Sequence, residues 1–394
     1  MTLETDVLVV GGGCTGTGIA RDLALRGLKV VLAEREDLAY GTSGRNHGLL
    51  HSGGRYAVKD PEAAGECIAE NRILRKIARH CIWDVGGMFV ALEDDDSAYV
   101  DTFLESCSRI GIDAEELDRS EALHEEPNLP HDLSRIVRVP DGCIDPFSLC
   151  LSNALDAAEH GAEVLVHHEL ASLSQSSGAV REAVLRDTLT GEELTVAPRM
   201  VVNATGAWAG QVGKLVGVDI GVILSKGSLL VASSRLVKAV VNRCRPPSSG
   251  DILVPGGPVT LLGTTSISTP DPGDFSTTDD EITLLRQEAA KLVPAALDSR
   301  VLRAFAGVRP LYQPGGSAAD GRAVTRGHAV IDHLEIDGLR GLVSIVGGKL
   351  TTYRKMAEDV SGVVCGHLDV DAPCRTAELP LPGCEPCEHD DVKL

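Results

Sequence analysis

The stretch from Asp6 to Glu34 constrains this chain more than any other. An apolar run, Val7-Leu8-Val9-Val10, leads into Gly11-Gly12-Gly13-Cys14-Thr15-Gly16. A helical pattern follows, with Ile19, Ala20, Leu23 and Ala24 on one face and Gly27 at its end. A second apolar run, Val30-Val31-Leu32-Ala33, closes on Glu34. Strand, glycine turn, helix and strand, ending in an acid about twenty residues on, form the dinucleotide-binding pattern. Gly11 permits the tight turn, Gly13 lets a pyrophosphate approach the backbone, and Gly16 lets helix and strand pack closely. The helix start offers free N–H groups and a positive dipole end to the phosphates. Glu34 is placed to accept the ribose hydroxyls, with Arg35 beside it. The motif does not choose between NAD and FAD.

Size and charge narrow the rest. The chain has 394 residues, enough for two to three structural units, and 43% of them are hydrophobic. No run of about 18 apolar residues appears, so no spanning helix is expected. The N-terminus enters a strand directly, without a signal-peptide pattern, so a cytoplasmic protein is expected. The net charge of −20 excludes nucleic acid as a partner, because phosphate contacts need a basic surface. The acid excess, with lysine scarcer than arginine, suggests a salt-adapted cytosol. The 11 cysteines are scattered singly and read as reduced, packed thiols. Cys384 and Cys387, with His389 nearby, have a metal-like spacing but no second pair, so no metal site is expected.

After Glu34 comes a glycine-rich loop, Gly41 to Tyr56, carrying Arg45, Asn46, His47, His51, Arg55 and Tyr56. Donors at this density on an irregular segment predict a ligand-facing loop. Asp60-Pro61 and Asp145-Pro146 predict capped helix starts. Helices are also expected over 97–110 and 281–292, and strands over 86–92, 136–139, 161–166, 180–186 and 193–196. Residues 119–130 read as irregular. The strand ending at Asn203-Ala204-Thr205-Gly206 suits a second backbone approach to the dinucleotide. From Val222 the pattern turns β-rich. A strand over 342–346 meets Gly347-Gly348-Lys349, which opens a helix running to about Gly366.

Several blocks together resemble FAD-dependent glycerol-3-phosphate dehydrogenases, within the D-amino-acid-oxidase-like flavoproteins. They are Gly41-Thr42-Ser43, Leu50-His51-Ser52-Gly53-Gly54-Arg55-Tyr56, Asp141-Gly142-Cys143-Ile144-Asp145-Pro146, Asn203-Ala204-Thr205-Gly206, Lys226-Gly227-Ser228, Gly307-Val308-Arg309-Pro310 and Gly347-Gly348-Lys349-Leu350-Thr351-Thr352-Tyr353-Arg354. Lys226 to Leu230, Asn242 to Pro246 and Leu261 to Ser266 look like the A subunit of the anaerobic type, which has three subunits. Leu229 stands where the aerobic enzymes carry a histidine. The A subunit usually continues into a cysteine-rich domain that this chain lacks after Gly383, so the electron exit route is missing, truncated or supplied by a partner.

The resemblance implies an α/β fold. A Rossmann-like FAD-binding domain of the glutathione-reductase/D-amino-acid-oxidase type (1–80, 140–220 and 305–370) is interleaved with a β-rich substrate domain (81–139 and 221–304), ahead of a tail (371–394). It implies oxidation of sn-glycerol 3-phosphate to dihydroxyacetone phosphate by hydride transfer to flavin N5. Companion subunits would then pass electrons to a quinone and hold the chain peripherally at the inner face of the cell membrane. FAD is expected on Gly11, Gly13, Gly16, Glu34 and Arg35, and on Thr42, Ser43, Asn46, Leu50 and His51. Farther along it is expected on Ala204, Gly206, Trp208, Gly348, Lys349, Leu350 and Thr351. Arg55, Tyr56, Arg309, Arg326, Lys349 and Thr351 are expected at the substrate, with His51, Arg309 and Lys349 catalytic and His51 the base. Other readings of these residues are an amino-acid or sarcosine oxidase on the same fold, an NAD dehydrogenase, and a non-catalytic FAD-bound assembly subunit.

Overall fold

A computed structural model describes residues 2–313 and 327–384. The opening motif folds as strand Thr2–Val10, helix Cys14–Leu25 and strand Val30–Ala33. These two strands pair in parallel, and Thr2–Val10 also pairs in parallel with Glu193–Asn203. Glu163–Leu165 and Leu342–Gly347 extend the parallel set at its two ends. Both faces are covered, which is why the strands read as unbroken apolar runs. Val7, Val9, Leu32, Val343 and Ile345 pack under helices Cys14–Leu25 and Tyr353–Leu368 through Ile19, Leu23, Val360 and Val364. Leu8, Val10, Val31 and Val201 face the other way, toward Leu173, Ala183 and Leu185.

Those last residues lie on an antiparallel meander, His168–Ser176, Ala179–Asp187 and the start of Glu193–Asn203. The strand His168–Ser176 carries no clear sequence pattern. Register shifts at Leu170/Ser172 and Ser174/Gln175 break its two-residue alternation. Residues 193–203 form one strand, rather than a short strand ending at 196 and a later one. Residues 119–130, expected to be irregular, contain the helix Arg119–Glu125. Only Ala122 of that helix is buried, so tertiary contact rather than an apolar period holds it.

Among the described residues the second sheet has nine strands. Its path runs Ile267–Ser268, Val222–Ala232, Val259–Gly263, Ile252–Gly256, Val240–Arg243, Gly87–Leu92, Leu133–Val139, Glu115–Leu117. Val301–Tyr312 pairs with Val222–Ala232 along its length. This strand straddles the boundary expected at residue 305, so Arg309 rides on the second sheet. Helix Asp279–Leu292 covers that sheet through Leu285, Ala289 and Leu292. Its start is a capping box between Thr278 and Glu281. Asp60 and Asp145 cap Pro61–Ile77 and Pro146–Glu159, as their Asp-Pro pairs predict.

Helix Tyr353–Leu368 begins after a single 3-10 turn at Leu350–Thr352, slightly later than expected. Its Arg354 is 4% exposed and makes a two-pronged pair with the buried Glu70, at 2.9 and 2.6 Å. Glu70 lies on Pro61–Ile77, so this pair locks the glycine turn at 347–349 against the polar loop's supporting helix. Removing one partner of a buried ion pair costs about 3–5 kcal/mol. Arg354→Met is expected to lower unfolding free energy by about 3 kcal/mol, read from the denaturant midpoint. An unchanged midpoint would show that the pair does not lock the two helices.

Candidate active site

The two sheets meet around one large cavity of about 890 Å3. That is at the upper end of the roughly 300–1,000 Å3 typical of small-molecule sites. One end is built by the glycine turn. Gly11 has φ +112°, and a Cβ there would lie 2.6 Å from the Ala204 carbonyl oxygen. At Gly13 a Cβ would lie 2.8 Å from Ser43 Oγ, which accepts from Cys14 N at 3.0 Å. The N-cap residue Gly13 supplies no side chain, so beyond the Ser43 contact the positive end of helix Cys14–Leu25 is left to the cavity. Glu34 lines the wall and accepts from Gly12 N at 2.7 Å and Glu36 N at 2.9 Å. The Arg35 guanidinium sits 5.0 Å from the centre of the Trp208 ring. A bare glycine cradle at a helix start, with a carboxylate tied beside it, fits the pyrophosphate and ribose of a dinucleotide.

Thr42, Ser43, Asn46, His51, Ala204, Gly206, Gly348, Lys349 and Leu350 also reach the cavity wall. Three expected residues do not. Gly16 lies behind the turn, where a Cβ would meet the Gly11 carbonyl oxygen at 1.8 Å. Leu50 is fully buried in a core with Leu74 and Ile144. Thr351 is fully buried, and its hydroxyl accepts from His51 N at 3.0 Å. These three shape the site from behind. Arg326 lies outside the described residues, as do Cys387 and His389. Among the described residues no three His, Cys, Asp or Glu side chains form a metal-binding group.

The other end is polar and is assembled from distant parts of the chain. Thr42 Oγ1 donates to Val308 O at 2.6 Å, which seats the Gly41–Tyr56 loop on the strand carrying Arg309. Gly307 makes this approach possible, since a Cβ there would lie 2.2 Å from the Arg45 carbonyl oxygen. Arg309 donates to Thr265 O at 3.2 Å and Thr264 Oγ1 at 2.6 Å. Its guanidinium lies over Gly227, where a Cβ would come within 2.3 Å of Nη2. Arg55 donates through Nη2 to Asp251 at 3.0 Å and to Ser248 O at 3.3 Å. Its Nη1 is shut off from solvent and has no partner among the described residues. Rings of His47 and His51 lie 6.1 Å apart, those of His51 and Tyr56 5.3 Å, and Lys349 Nζ is 5.0 Å from the Tyr56 ring.

The loop is fixed from beneath. Asn71 donates to His51 O at 3.0 Å, and Ser52 N donates to the buried Asp141 at 2.7 Å. Burial raises the Asp141 pKa, against the hydrogen bonds from Ser52. Leu229, in place of the aerobic enzymes' histidine, is a buried packing residue. His47, Lys59, Ser248 and Thr264 to Ser266 line the cavity without an assigned role in the sequence pattern. His47 was visible there as one of the loop's polar residues. Thr264 to Ser266 fall in the Leu261 to Ser266 block of the family resemblance, and nothing local marks Lys59 or Ser248.

Comparison with known proteins shows the family and the fold. The model of the FAD dependent oxidoreductase family matches residues 6–354. The A1 subunit of the anaerobic glycerol-3-phosphate dehydrogenase of Haloferax volcanii is 49% identical over 395 residues, covering 98% of this chain and 67% of the relative. The A subunit of the anaerobic glycerol-3-phosphate dehydrogenase of Escherichia coli K12 is 47% identical over 388 residues, covering 98% and 71%. The glycerol-3-phosphate dehydrogenase of Bacillus halodurans, solved with FAD, superposes with a TM-score of 0.73 at 27% identity, over 97% of this chain and 68% of that one. The chain is an FAD-dependent oxidoreductase and belongs to the family of anaerobic glycerol-3-phosphate dehydrogenase A subunits.

Proposed function

We propose that this chain oxidises sn-glycerol 3-phosphate to dihydroxyacetone phosphate. Bound FAD supplies the hydride acceptor, flavin N5. One observation carries the choice of a phosphate ester: Arg55 and Arg309 both line the cavity, and Arg55 keeps a nitrogen, Nη1, without a hydrogen-bond partner among the described residues. Guanidinium groups converging on a cavity suit a phosphate dianion, which accepts several charge-assisted hydrogen bonds. In a chain of net charge −20 such a local cluster is also what offsets long-range repulsion of the substrate.

In this reading Arg55, Arg309 and Lys349 hold the phosphate, with Arg326 a further candidate outside the described residues. Tyr56 orients the glycerol carbons. His51 accepts the hydroxyl proton as the C2 hydride leaves. Its backbone is held by Thr351 and Asn71, which fits a group that must be positioned. Gly11, Gly13, Glu34, Arg35, Ser43 and Trp208 would hold the ADP half of FAD, and Gly348 to Leu350 would face its flavin end, with Thr351 supporting them from behind. Companion subunits would take the electrons on to a quinone and bring the chain to the membrane surface. That the relatives are named as one lettered part of a larger enzyme supports such companions. Among the described residues no helix is long and apolar enough to cross a membrane.

A dye-reduction panel tests the substrate. Glycerol 3-phosphate should support turnover, and glycerol, glycine and sarcosine should not. Turnover with an amino acid in place of the phosphate ester would contradict the proposal. Lys349 should also stabilise negative charge on the reduced cofactor. Lys349→Ala is therefore expected to lower the flavin midpoint potential in a redox titration. An unchanged potential would remove that role.

A further inference from the structure

One polar group on the cavity wall has no task in the chemistry above. His47 lines the cavity from the glycine-rich loop, and its Nδ1 is shut off from solvent without a hydrogen-bond partner among the described residues. Folded proteins pair nearly all such atoms, so an orphan at the wall of a site points to a missing ligand. The charged and titratable groups around this ring come from three elements. Arg55 and His51 belong to its own loop, and Arg309 comes from Val301–Tyr312. Lys349 stands beyond His51 and Tyr56 in the ring series. The carboxylate beside Arg55, Asp251, is shared with Arg245 at 2.7 Å. Burial first, then the charges of Arg309 and Arg55, push the His47 pKa down to about 3. Without a ligand the ring is neutral.

Arg55, which lines the same cavity, carries a second buried nitrogen, Nη1, without a partner among the described residues. We infer that His47 is a further ligand of the substrate's phosphoryl group and takes up a proton when that dianion is seated by Arg55 and Arg309. The inference rests on the phosphate-ester reading of the cavity. Its physical basis is local charge: two guanidinium groups disfavour an imidazolium, and a dianion beside both cancels that opposition. The proton comes from solvent and is then shared between the ring and a phosphoryl oxygen, with no covalent bond made or broken. A carboxylate, with a single charge, offsets only one of the two guanidinium groups. His47 thereby favours a phosphate ester over a carboxylate substrate.

Sulfate is a suitable probe, because it keeps both charges at neutral and mildly acid pH and brings no proton of its own. Its binding to the FAD-loaded protein is followed calorimetrically near pH 6 in two buffers of different ionisation heat. The wild-type protein should take up a fraction of a proton, and less as pH rises past the ordinary histidine value of about 6.5. His47→Gln and His47→Asn should bind sulfate about tenfold more weakly, the loss of one charge-assisted contact, with no uptake. In steady state His47→Gln should raise KM for glycerol 3-phosphate by about tenfold with little change in kcat. Loss of a general base would instead lower kcat by about 10²–10⁴-fold.

Flavin absorbance identifies a variant that has lost its fold, in which case the other variant is used. Sulfate binding without proton uptake in the wild-type protein overturns the inference with no variant needed. Equal uptake in the His47 variants also overturns it, as does a fall in kcat at unchanged KM. In each of these cases the phosphate-ester reading survives if glycerol 3-phosphate is still oxidised. If neither sulfate nor glycerol 3-phosphate binds, both fall.

Discussion

Arg309→Ala is expected to lower kcat/KM for glycerol 3-phosphate by about 10²–10³-fold while FAD remains bound. The size follows from losing a charged ligand in a partly enclosed site, about 3–4 kcal/mol, at 1.4 kcal/mol per tenfold. The selectivity follows from position. Arg309 is carried by the second sheet and anchored by Thr264 and Thr265, away from the glycine cradle at Gly11 and Gly13. The ratio of flavin absorbance to protein should therefore match the wild-type value. Unchanged turnover would remove Arg309 from the substrate site. Loss of flavin together with turnover would mean that the strand supports the cofactor rather than the substrate.

Gly16→Ala should fail at the opposite end of the cavity, and for a steric reason. The added Cβ would stand 1.8 Å from the Gly11 carbonyl oxygen, and a backbone atom inside the cradle cannot move aside as a side chain can. Relief requires lifting helix Cys14–Leu25 off the glycine turn proposed to receive the pyrophosphate. The variant is expected to purify without flavin and to be less stable by about 3 kcal/mol or more. Gly362→Ala is the matched control. It lies on the exposed side of helix Tyr353–Leu368 with nothing within 4 Å of the added Cβ. It should keep its flavin and gain up to about 1 kcal/mol from helix propensity. Normal flavin content in Gly16→Ala would contradict the role assigned to the cradle.

The parts of the fold that were legible in the sequence are those set by local chemistry. The opening motif declares itself because its strands are buried on both faces and its turn admits only glycine. The Asp60-Pro61 and Asp145-Pro146 starts are legible because cap and proline act within one turn. Helix Arg119–Glu125 was not, because with a single buried alanine it has no apolar period to read. Strand His168–Ser176 was not, because its irregular register removes the alternation that marks a strand.

The candidate site divides the same way. The residue types on the Gly41–Tyr56 loop announced a ligand, and most of the expected positions do line the cavity. What sequence could not supply was pairing at a distance. Arg55 meets Asp251 across 196 positions, which holds Nη2, while Nη1 is left without a partner among the described residues. Thr42 meets Val308 across 266 positions, which brings the loop onto the Arg309 strand. His47 looked like any polar loop residue until its unpartnered Nδ1 and the guanidinium charges of Arg309 and Arg55 stood beside it.

The central claim is that a cavity holding FAD at its glycine end oxidises a phosphate ester at its arginine end. It is tested most directly by adding sn-glycerol 3-phosphate to the FAD-loaded protein without oxygen or any other acceptor and watching the flavin absorbance. Bleaching by glycerol 3-phosphate, and none by glycerol or sarcosine at the same concentration, is the predicted result. A flavin that stays oxidised under glycerol 3-phosphate, or that is bleached equally by sarcosine, would contradict it.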